Sequence, residues 1–336
     1  MEAFAYARPT SREEALAQLG GSFEESAILA GGTDLLSLMK NYVVTPKRLV
    51  DIKGVKEFRG ITKGADGVRI GATVTLQELA DDAGLQKDFP GLVAAAAAVP
   101  SMQIRNMGTV GGDLCQRPRC WYFRNGFGLL AHDAQGKPLV PGGDNRYHAI
   151  LENGGPAYFV NPSSLAPVLI AVGAELEIAG GKATRKVALE KFYRAPKGEH
   201  ERECALAANE IVTAVLLPKD AELWRTAIYE VREKQALDWP LATAAVALRL
   251  GRGNMFGAES PDAVGKARIV LGHVAPVPWR AAGAEVALAG QKVSAESAAK
   301  AGEAAVEGAR PLSGNRYKVQ LARVAVKRAI LAAGRA

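Results

Sequence analysis

The chain has 336 residues, of which 48% are hydrophobic and 23% are charged, a composition typical of a folded globular protein and not of a disordered chain. The 42 Lys and Arg residues exceed the 35 Asp and Glu residues, but the basic residues are interleaved with acidic ones. No run of like charges indicates a nucleic-acid arm, and no apolar stretch reaches the roughly 18 residues of a membrane span. At this length we expect at least two domains.

The first hundred residues predict alternating helices and strands. A buried strand is followed by the turn Gly31-Gly32, after which Thr33 is expected to cap a helix. The elements predicted in chain order are helix 10–19, strand 27–30, helix 33–40, strands 49–52 and 67–72, helix 75–79 and an alanine-rich helix 92–99.

The rest of the chain predicts a long irregular segment and then a second domain. A glycine-rich passage over 104–114 leads into a loop-like segment over 115–160, and loops of that length are usually functional. Strands follow over 165–178 and 210–218, and the polar segment 219–225 is the best domain boundary. The last domain is predicted to contain strands 227–231, 242–250 and 268–273 and two alanine-rich helices.

Two glycine-rich segments carry the main chemical signal. At Gly31-Gly32, backbone N–H groups and a helix N-terminus would favour an anion such as phosphate. The segment 108–113 offers glycines for close approach and Thr109 as a hydroxyl donor. Each segment alone is also typical of a plain tight turn, but together they indicate a pyrophosphate. Neither matches the P-loop or the three-glycine dinucleotide motif, which disfavours a nucleoside triphosphatase or a Rossmann nicotinamide fold.

Cysteine and histidine usage does not indicate a metal site. Cys115, Cys120 and Cys204 form no even disulfide framework, and reduced thiols in the cytoplasm are the simplest interpretation. The start of the chain resembles no export signal. The histidines lack the spacing of metal ligands; they are His132, His148, His200 and His273.

Seven segments, in order along nearly the whole chain, resemble the FAD-binding subunit of molybdenum hydroxylases, the family of xanthine dehydrogenase, carbon monoxide dehydrogenase and aldehyde oxidoreductase. The segments 115–124 and 145–149 resemble the flavin subunits of bacterial aldehyde oxidoreductases in particular. The seven segments are 30–35, 69–75, 108–114, 161–167, 210–213, 269–280 and 315–319.

The resemblance implies an α+β fold with two domains. The first, over 1–220, would be a two-part FAD-binding domain of the PCMH or vanillyl-alcohol-oxidase type, with subdomains of about 1–55 and 56–220 and an inserted loop of about 115–160. The second, over 221–336, would be the C-terminal α+β domain of this subunit, with a small antiparallel sheet and helices.

The resemblance also implies a role in electron transfer. Electrons released at a molybdopterin cofactor in a large subunit would pass through two [2Fe-2S] clusters in a small subunit to the FAD of this chain, and then to an external acceptor. The substrate would be an aldehyde or a heteroaromatic compound bound in another chain. The cytoplasm is the default location, and the periplasm becomes the alternative if a partner carries a twin-arginine signal.

The family pattern places the FAD contacts on the two glycine segments and on two later positions. Relatives often carry an Asp at the position of Ser164 and a Lys at the position of Glu230, and Arg232 or Lys234 could replace that cation. No catalytic residue is assigned. The residues expected to bind FAD are Ala27, Ile28, Leu29, Ala30, Gly31, Gly32, Thr33, Asp34, Leu35, Thr109, Gly111, Gly112, Asp113, Ser164 and Arg232.

The inserted loop departs from the aldehyde oxidoreductase pattern. In those relatives the loop binds a [4Fe-4S] cluster through four cysteines, whereas Cys115 and Cys120 supply at most two ligands here. We therefore predict the loop without its cluster and no metal ligand in this chain. A cluster completed by another subunit stays an alternative, with the two cysteines as remnants.

Two other functions are compatible with parts of the pattern. The chain could be a stand-alone FAD-dependent oxidoreductase with its own substrate pocket, although its C-terminal residues resemble the hydroxylase subunit. It could also be a scaffold that has lost its flavin, although both glycine segments are intact.

Overall fold

Three separate β-sheets organise the chain in a computed structural model, which describes residues 1–181, 183–234, 238–251 and 262–335. The first sheet is parallel, with the strand order β1-β3-β2. Its strands are β1 (Ala5–Ala7), β2 (Ala27–Leu29) and β3 (Arg48–Asp51).

The second and third sheets are antiparallel. The second has the order β4-β5-β8-β6-β7, and its strands are β4 (Ile61–Gly64), β5 (Gly67–Gly71), β6 (Glu175–Gly180), β7 (Ala183–Ala188) and β8 (Glu210–Pro218). The third has the order β12-β11-β10-β9, and its strands are β9 (Arg225–Val231), β10 (Ala242–Leu250), β11 (Val264–Gly272) and β12 (Trp279–Arg280).

Helices pack on these sheets. Thr75 begins one of them with a capping box, in which its hydroxyl accepts from the Glu78 N–H and the Glu78 carboxylate accepts from the Thr75 N–H. The helices are α1 (Arg12–Ala17), α2 (Leu35–Lys40), α3 (Leu76–Asp81), α4 (Ala83–Asp88), α5 (Pro90–Ala97), α6 (Met102–Met107), α7 (Val110–Cys115), α8 (Trp121–Arg124), α9 (Ala166–Ala171), α10 (Ala282–Leu288), α11 (Ala295–Ala304) and α12 (Tyr317–Ala333). No helix in the described part of the chain combines the length and apolarity needed to cross a bilayer.

Separate hydrophobic cores support the sheets. The second sheet shares a core with α3, α5 and α9, while the third sheet shares one with α10, α11 and α12. A small residue allows the last two helices to approach closely, because a methyl group added at Gly302 would lie 2.6 Å from the Arg323 carbonyl oxygen. The segment 115–160 contributes to an apolar core of its own with Leu38, through Phe123, Leu129, Leu130, Ala157 and Phe159.

The α+β architecture and the small antiparallel C-terminal sheet are confirmed, and so are most predicted strands. The strand prediction for residues 165–171 is wrong: this stretch forms α9, whose six residues are all buried. A fully buried apolar run has no polar face, so its sequence shows no period that separates a helix from a strand. The domain boundary at 220 and the division of the first domain near residue 55 stay predictions.

Two further expectations also fail. The glycine-rich passage 104–114 is not a loop, because α6 and α7 occupy it and only a short turn at Gly108 and Thr109 separates them. The described part of the C-terminal domain contains three helices where two were predicted, since α10 precedes the alanine-rich pair. Helices α6, α7 and α10 have only six or seven residues, and helices this short show little periodicity in the sequence.

A buried lysine joins the inserted loop to the C-terminal domain. Lys318, in the first turn of α12, is 1% exposed. Its ammonium group donates to the carbonyl oxygens of Tyr147, His148 and His273 at 3.1, 3.1 and 2.7 Å. Three acceptors satisfy the three N–H bonds of an ammonium group. No carboxylate among the described residues is bonded to it, and burial lowers the pKa of Lys318 to about 7.

We expect Lys318→Met to lower the free energy of unfolding by about 3 kcal/mol, because three buried carbonyl oxygens lose their donor. Lys300→Met, at an exposed position of α11, should change it by less than about 0.5 kcal/mol. Urea denaturation of both variants measures the difference. Equal stabilities of the two variants would contradict the anchoring role of Lys318.

Candidate functional site

A cleft of about 200 Å³ lies between the first sheet and the N-terminal end of α7. Both glycine segments line it, together with residues between positions 202 and 212. The lining residues predicted from sequence are Ala27, Ile28, Ala30, Gly31, Gly32, Thr33, Asp34, Leu35, Thr109, Gly111 and Gly112. Leu29, Asp113, Ser164 and Arg232, which belong to the same prediction, are not among its lining residues.

The two glycine segments touch each other. A methyl group added at Gly31 would lie 1.8 Å from the Met107 carbonyl oxygen and 3.0 Å from the Gly108 Cα atom. No side chain fits in that space, so glycine is required at position 31 for the two backbones to meet. Gly32 adopts a φ of +72°, a left-handed conformation that also favours glycine. The cleft wall therefore depends on Gly31-Gly32.

The two segments differ in the backbone groups that they offer to an anion. In the second segment the N–H groups of Val110, Gly111 and Gly112 already donate within the protein, to Val74 O, Ala72 O and Thr109 Oγ1. In the first, the N–H groups of Gly32, Thr33 and Asp34 have no acceptor among the described residues. Anion binding by backbone groups is thus available chiefly at the first segment, whereas the sequence predicted it at both.

Asp34 anchors the inserted loop. Its carboxylate accepts from the Arg117 N–H at 2.8 Å and from Arg124 Nη2 at 2.7 Å, and it forms an ion pair with Arg119, whose Nη2 lies 3.2 Å away. Asp34 is also the N-cap position of α2, so the prediction that Thr33 caps this helix is wrong. The hydroxyl of Thr33 is then not committed to capping and stays a possible donor toward the cleft.

An arginine that the sequence did not predict brings positive charge to the cleft. Arg202 lines it, stacks on the ring of Phe23 at 3.9 Å, and has a buried Nε with no hydrogen-bond partner in the described chain. Arg117 also lines the cleft and pairs with Glu203. The Oε2 atom of Glu203 lies 3.9 Å from Arg202 Nε. The carboxylates in the lining, Asp34 and Glu210, pair with Arg124 and Arg185. Arg117 and Arg202 share the single carboxylate of Glu203, which leaves a net positive charge in the cleft.

Arg202 could not be found from the sequence, because it lies about 90 residues beyond the second glycine segment in an irregular stretch. No motif surrounds it, and only the tertiary structure brings it to the cleft.

Three of the predicted FAD residues form a separate buried network between the domains. Asp113 accepts from the Ser163 hydroxyl at 2.5 Å and from the Leu165 N–H at 3.1 Å, and burial raises its pKa. Glu230 pairs with Arg232, which also donates to the Ala98 carbonyl oxygen at 2.5 Å. Ser164 lies beside Glu230, and its hydroxyl partly offsets the effect of burial on the pKa of that carboxyl.

This network is not fully satisfied. Burial raises the pKa of Glu230. Neither Glu230 Oε1 nor Arg232 Nε has a hydrogen-bond partner among the described residues. The pairing with Glu230 also balances the charge of Arg232, so this arginine does not supply a free cation in place of the lysine of relatives. Two unpartnered polar atoms on one buried ion pair indicate room for a polar ligand.

The cysteines of the inserted loop have different neighbours. Cys115 lies near Cys204 and Glu203, and burial raises its pKa. Cys120 Sγ lies 3.2 Å from His148 Nε2, beside a cavity of about 180 Å³ that Trp121, Tyr147 and Trp239 also line. No group of three or more potential metal ligands occurs among the described residues. The presence or absence of a cluster in the loop stays a prediction.

The residues present fit a dinucleotide with a pyrophosphate. The N–H groups that follow Gly31 are free, and Arg202 adds positive charge. Much of the remaining lining is apolar, as a flat ring requires; it includes Phe23, Ile28, Pro46, Ile52 and Val212.

Two family models match the chain. The FAD binding domain in molybdopterin dehydrogenase matches residues 2–220, and the CO dehydrogenase flavoprotein C-terminal domain matches residues 227–333.

Individual relatives match over nearly their full length. The aldehyde oxidoreductase FAD-binding subunit PaoB of Escherichia coli (strain K12) is 31% identical and covers 96% of both chains. The carbon monoxide dehydrogenase medium chain of Hydrogenophaga pseudoflava is 30% identical, over 98% of this chain and 96% of the relative. A solved structure of carbon monoxide dehydrogenase from H. pseudoflava that lacks the Mo-pyranopterin moiety aligns with a TM-score of 0.73 at 29% identity, over 99% and 97% of the chains.

Acid should destabilise the protein through two buried histidines. Burial lowers the pKa of His148 to about 4 and that of His273 to about 3. In an unfolded chain the pKa of a histidine is about 6.5. Between about pH 6.5 and pH 4 the unfolded state binds more protons than the folded state. The free energy of unfolding therefore falls as the pH falls, by up to about 1.4 kcal/mol per pH unit for each histidine.

We expect His148→Gln to reduce this slope and the exposed His200→Gln to leave it unchanged. Denaturation midpoints at pH 7.5, 6 and 5 measure the slopes. A slope in His148→Gln equal to that of the unsubstituted protein would show that this imidazole is not buried in its neutral form.

Proposed function

Since the chain belongs to the family of molybdopterin dehydrogenase flavoproteins, we propose that it is the FAD-carrying electron-transfer subunit of a molybdenum hydroxylase. It acts with a small iron–sulfur subunit and a large molybdopterin subunit, as the medium-chain naming of its relatives supports. The observation that carries the proposal is the cleft in which the two glycine segments meet beside Arg202.

Bound FAD would supply the redox chemistry, accepting electrons from the [2Fe-2S] clusters of the small subunit and releasing them to an external acceptor. The chain's own residues hold the cofactor. We assign the pyrophosphate to the free N–H groups of Gly32, Thr33 and Asp34, with Arg202 as the counter-charge. Gly111 and Thr109 complete the opposite wall of the cleft.

We assign the polar atoms at the other end of the cofactor to Ser164, Glu230 and Arg232. The support is the pair of buried atoms, Glu230 Oε1 and Arg232 Nε, that have no hydrogen-bond partner in the described chain. Asp113 would act indirectly, since its carboxylate holds the turn at Ser163 and Leu165. Of the other predicted residues, Ala27, Ile28, Ala30, Gly31, Leu35 and Gly112 line the cleft, whereas Leu29 and Asp113 do not.

A stand-alone oxidoreductase is less well supported. Relatives that cover 96% or more of this chain are subunits of larger enzymes by name, and the match includes the C-terminal domain. The intact glycine segments also disfavour a scaffold without flavin. We propose an aldehyde or a heteroaromatic compound as the substrate class, bound in another chain, and the cytoplasm as the compartment.

We expect Gly31→Ala to weaken FAD binding by about tenfold or more, because the added methyl group forces the Met107 turn away from the cleft. Gly142→Ala is the matched control, because a methyl group there meets nothing within 4 Å. Absorbance near the flavin bands of the purified chain gives bound FAD per chain. Full FAD content in Gly31→Ala would refute the assigned site, and a wild-type chain that never carries FAD would refute the function.

The native complex should contain about four irons per FAD, which corresponds to two [2Fe-2S] clusters in the partner and none in the inserted loop. Iron and flavin analysis of the purified complex measures this ratio. About eight irons per FAD would show that the loop around Cys120 keeps a [4Fe-4S] cluster.

A further inference from the structure

The cleft extends along β2, from the glycine turn to the turn that precedes this strand. The free N–H groups of residues 32–34 follow β2, Phe23 precedes it, and all of these residues line the cleft. A strand rises by roughly 3.3 Å per residue, so the three residues of β2 place about 10 Å between the two ends. The adenosine part of a dinucleotide can span that distance when its phosphate is bound at the glycine turn.

The Phe23 end of the cleft presents flat apolar groups. The Lys47 N–H donates to the Glu24 carbonyl oxygen at 2.9 Å. This bond places Pro46, which also lines the cleft, beside the turn that carries Phe23. Phe23 is half-buried and belongs to none of the apolar cores in the described part of the chain. Its ring is therefore available to a ligand, and a phenyl ring next to a proline suits a flat one.

Arg202 extends this flat surface. Its guanidinium carbon lies 3.9 Å from the centroid of the Phe23 ring, and both side chains line the cleft. A guanidinium group stacked on one ring still offers its opposite face to a second ring and the N–H groups at its edge to an oxygen atom. The buried Nε of Arg202, which has no hydrogen-bond partner in the described chain, is such an edge group. One arginine can therefore stack on a base and also face a phosphate.

We propose that Phe23 and Arg202 form the stack that binds the adenine ring, and that this stack selects FAD over FMN, which has no adenine. The inference rests on the proposed function, and it gives Arg202 a role in specificity in addition to its charge. Purine rings stack on aromatic side chains and on guanidinium planes. Phe23 acts twice, because it offers its own ring and holds the guanidinium plane of Arg202 in one orientation.

The test separates the charge of Arg202 from its planar face. Arg202→Lys keeps the positive charge and removes the plane, Phe23→Leu removes the aromatic ring, and Phe23→Tyr keeps it. Arg249→Lys is the matched control, because Arg249 stacks on Trp224 at 4.5 Å and neither residue lines the cleft. Isothermal titration calorimetry on the full chain, freed of flavin, measures the affinities for FAD, ADP and FMN.

We expect Arg202→Lys and Phe23→Leu to weaken the binding of FAD and ADP by about tenfold and that of FMN by less than about twofold. Phe23→Tyr and Arg249→Lys should match the unsubstituted chain.

Unchanged FAD and ADP affinities in the first two variants would overturn the proposal. An equal loss for ADP and FMN would also overturn it, by showing that these residues act on the phosphate alone. So would an unsubstituted chain that binds FAD no more tightly than FMN. A chain that binds no FAD would refute the proposed function, which is a separate result, since ADP binding that depends on Phe23 and Arg202 would still assign the stack to an adenine nucleotide.

Discussion

The contact between two backbone turns sets the geometry on which the rest of the site depends. Gly31 reaches the carbonyl oxygen of Met107 so closely that no side chain could be placed between them. This contact joins the segment after β2 to the turn between α6 and α7. The N–H groups of Gly32, Thr33 and Asp34 that follow it have no acceptor among the described residues, so the contact and the cofactor site share one turn.

The inserted loop is held by protein contacts. Asp34 accepts hydrogen bonds from the Arg117 backbone and the Arg124 side chain and forms an ion pair with Arg119. At the loop's far end, Lys318 donates to carbonyl oxygens. Between these anchors the loop has a small apolar core. Charge pairing in partly buried surroundings and apolar packing together order this long loop.

The junction of the two domains differs from the cleft in its chemistry. The cleft offers free donors and positive charge, whereas Asp113, Ser164, Glu230 and Arg232 form a network of paired acids and bases in the interior. Because buried ion pairs are costly when one partner is removed, substitutions in this network should affect folding together with FAD binding. Variants at Gly31 or Arg202 test the cleft more directly, because they change the wall of the cleft and its charge.

The sequence by itself determined the α+β class, most strands, the helix that begins near Thr75 and the two glycine segments as a pair. These signals are local: capping residues, glycine turns and apolar runs act over a few neighbouring positions. The tertiary structure decided the rest. It made a helix of residues 166–171, which are buried on every side, and it satisfied the N–H groups of the second glycine segment with Ala72 and Val74. It also brought Arg202 to the cleft and Asp34 to the inserted loop. Those outcomes rest on contacts between residues far apart in the chain, which no local pattern encodes.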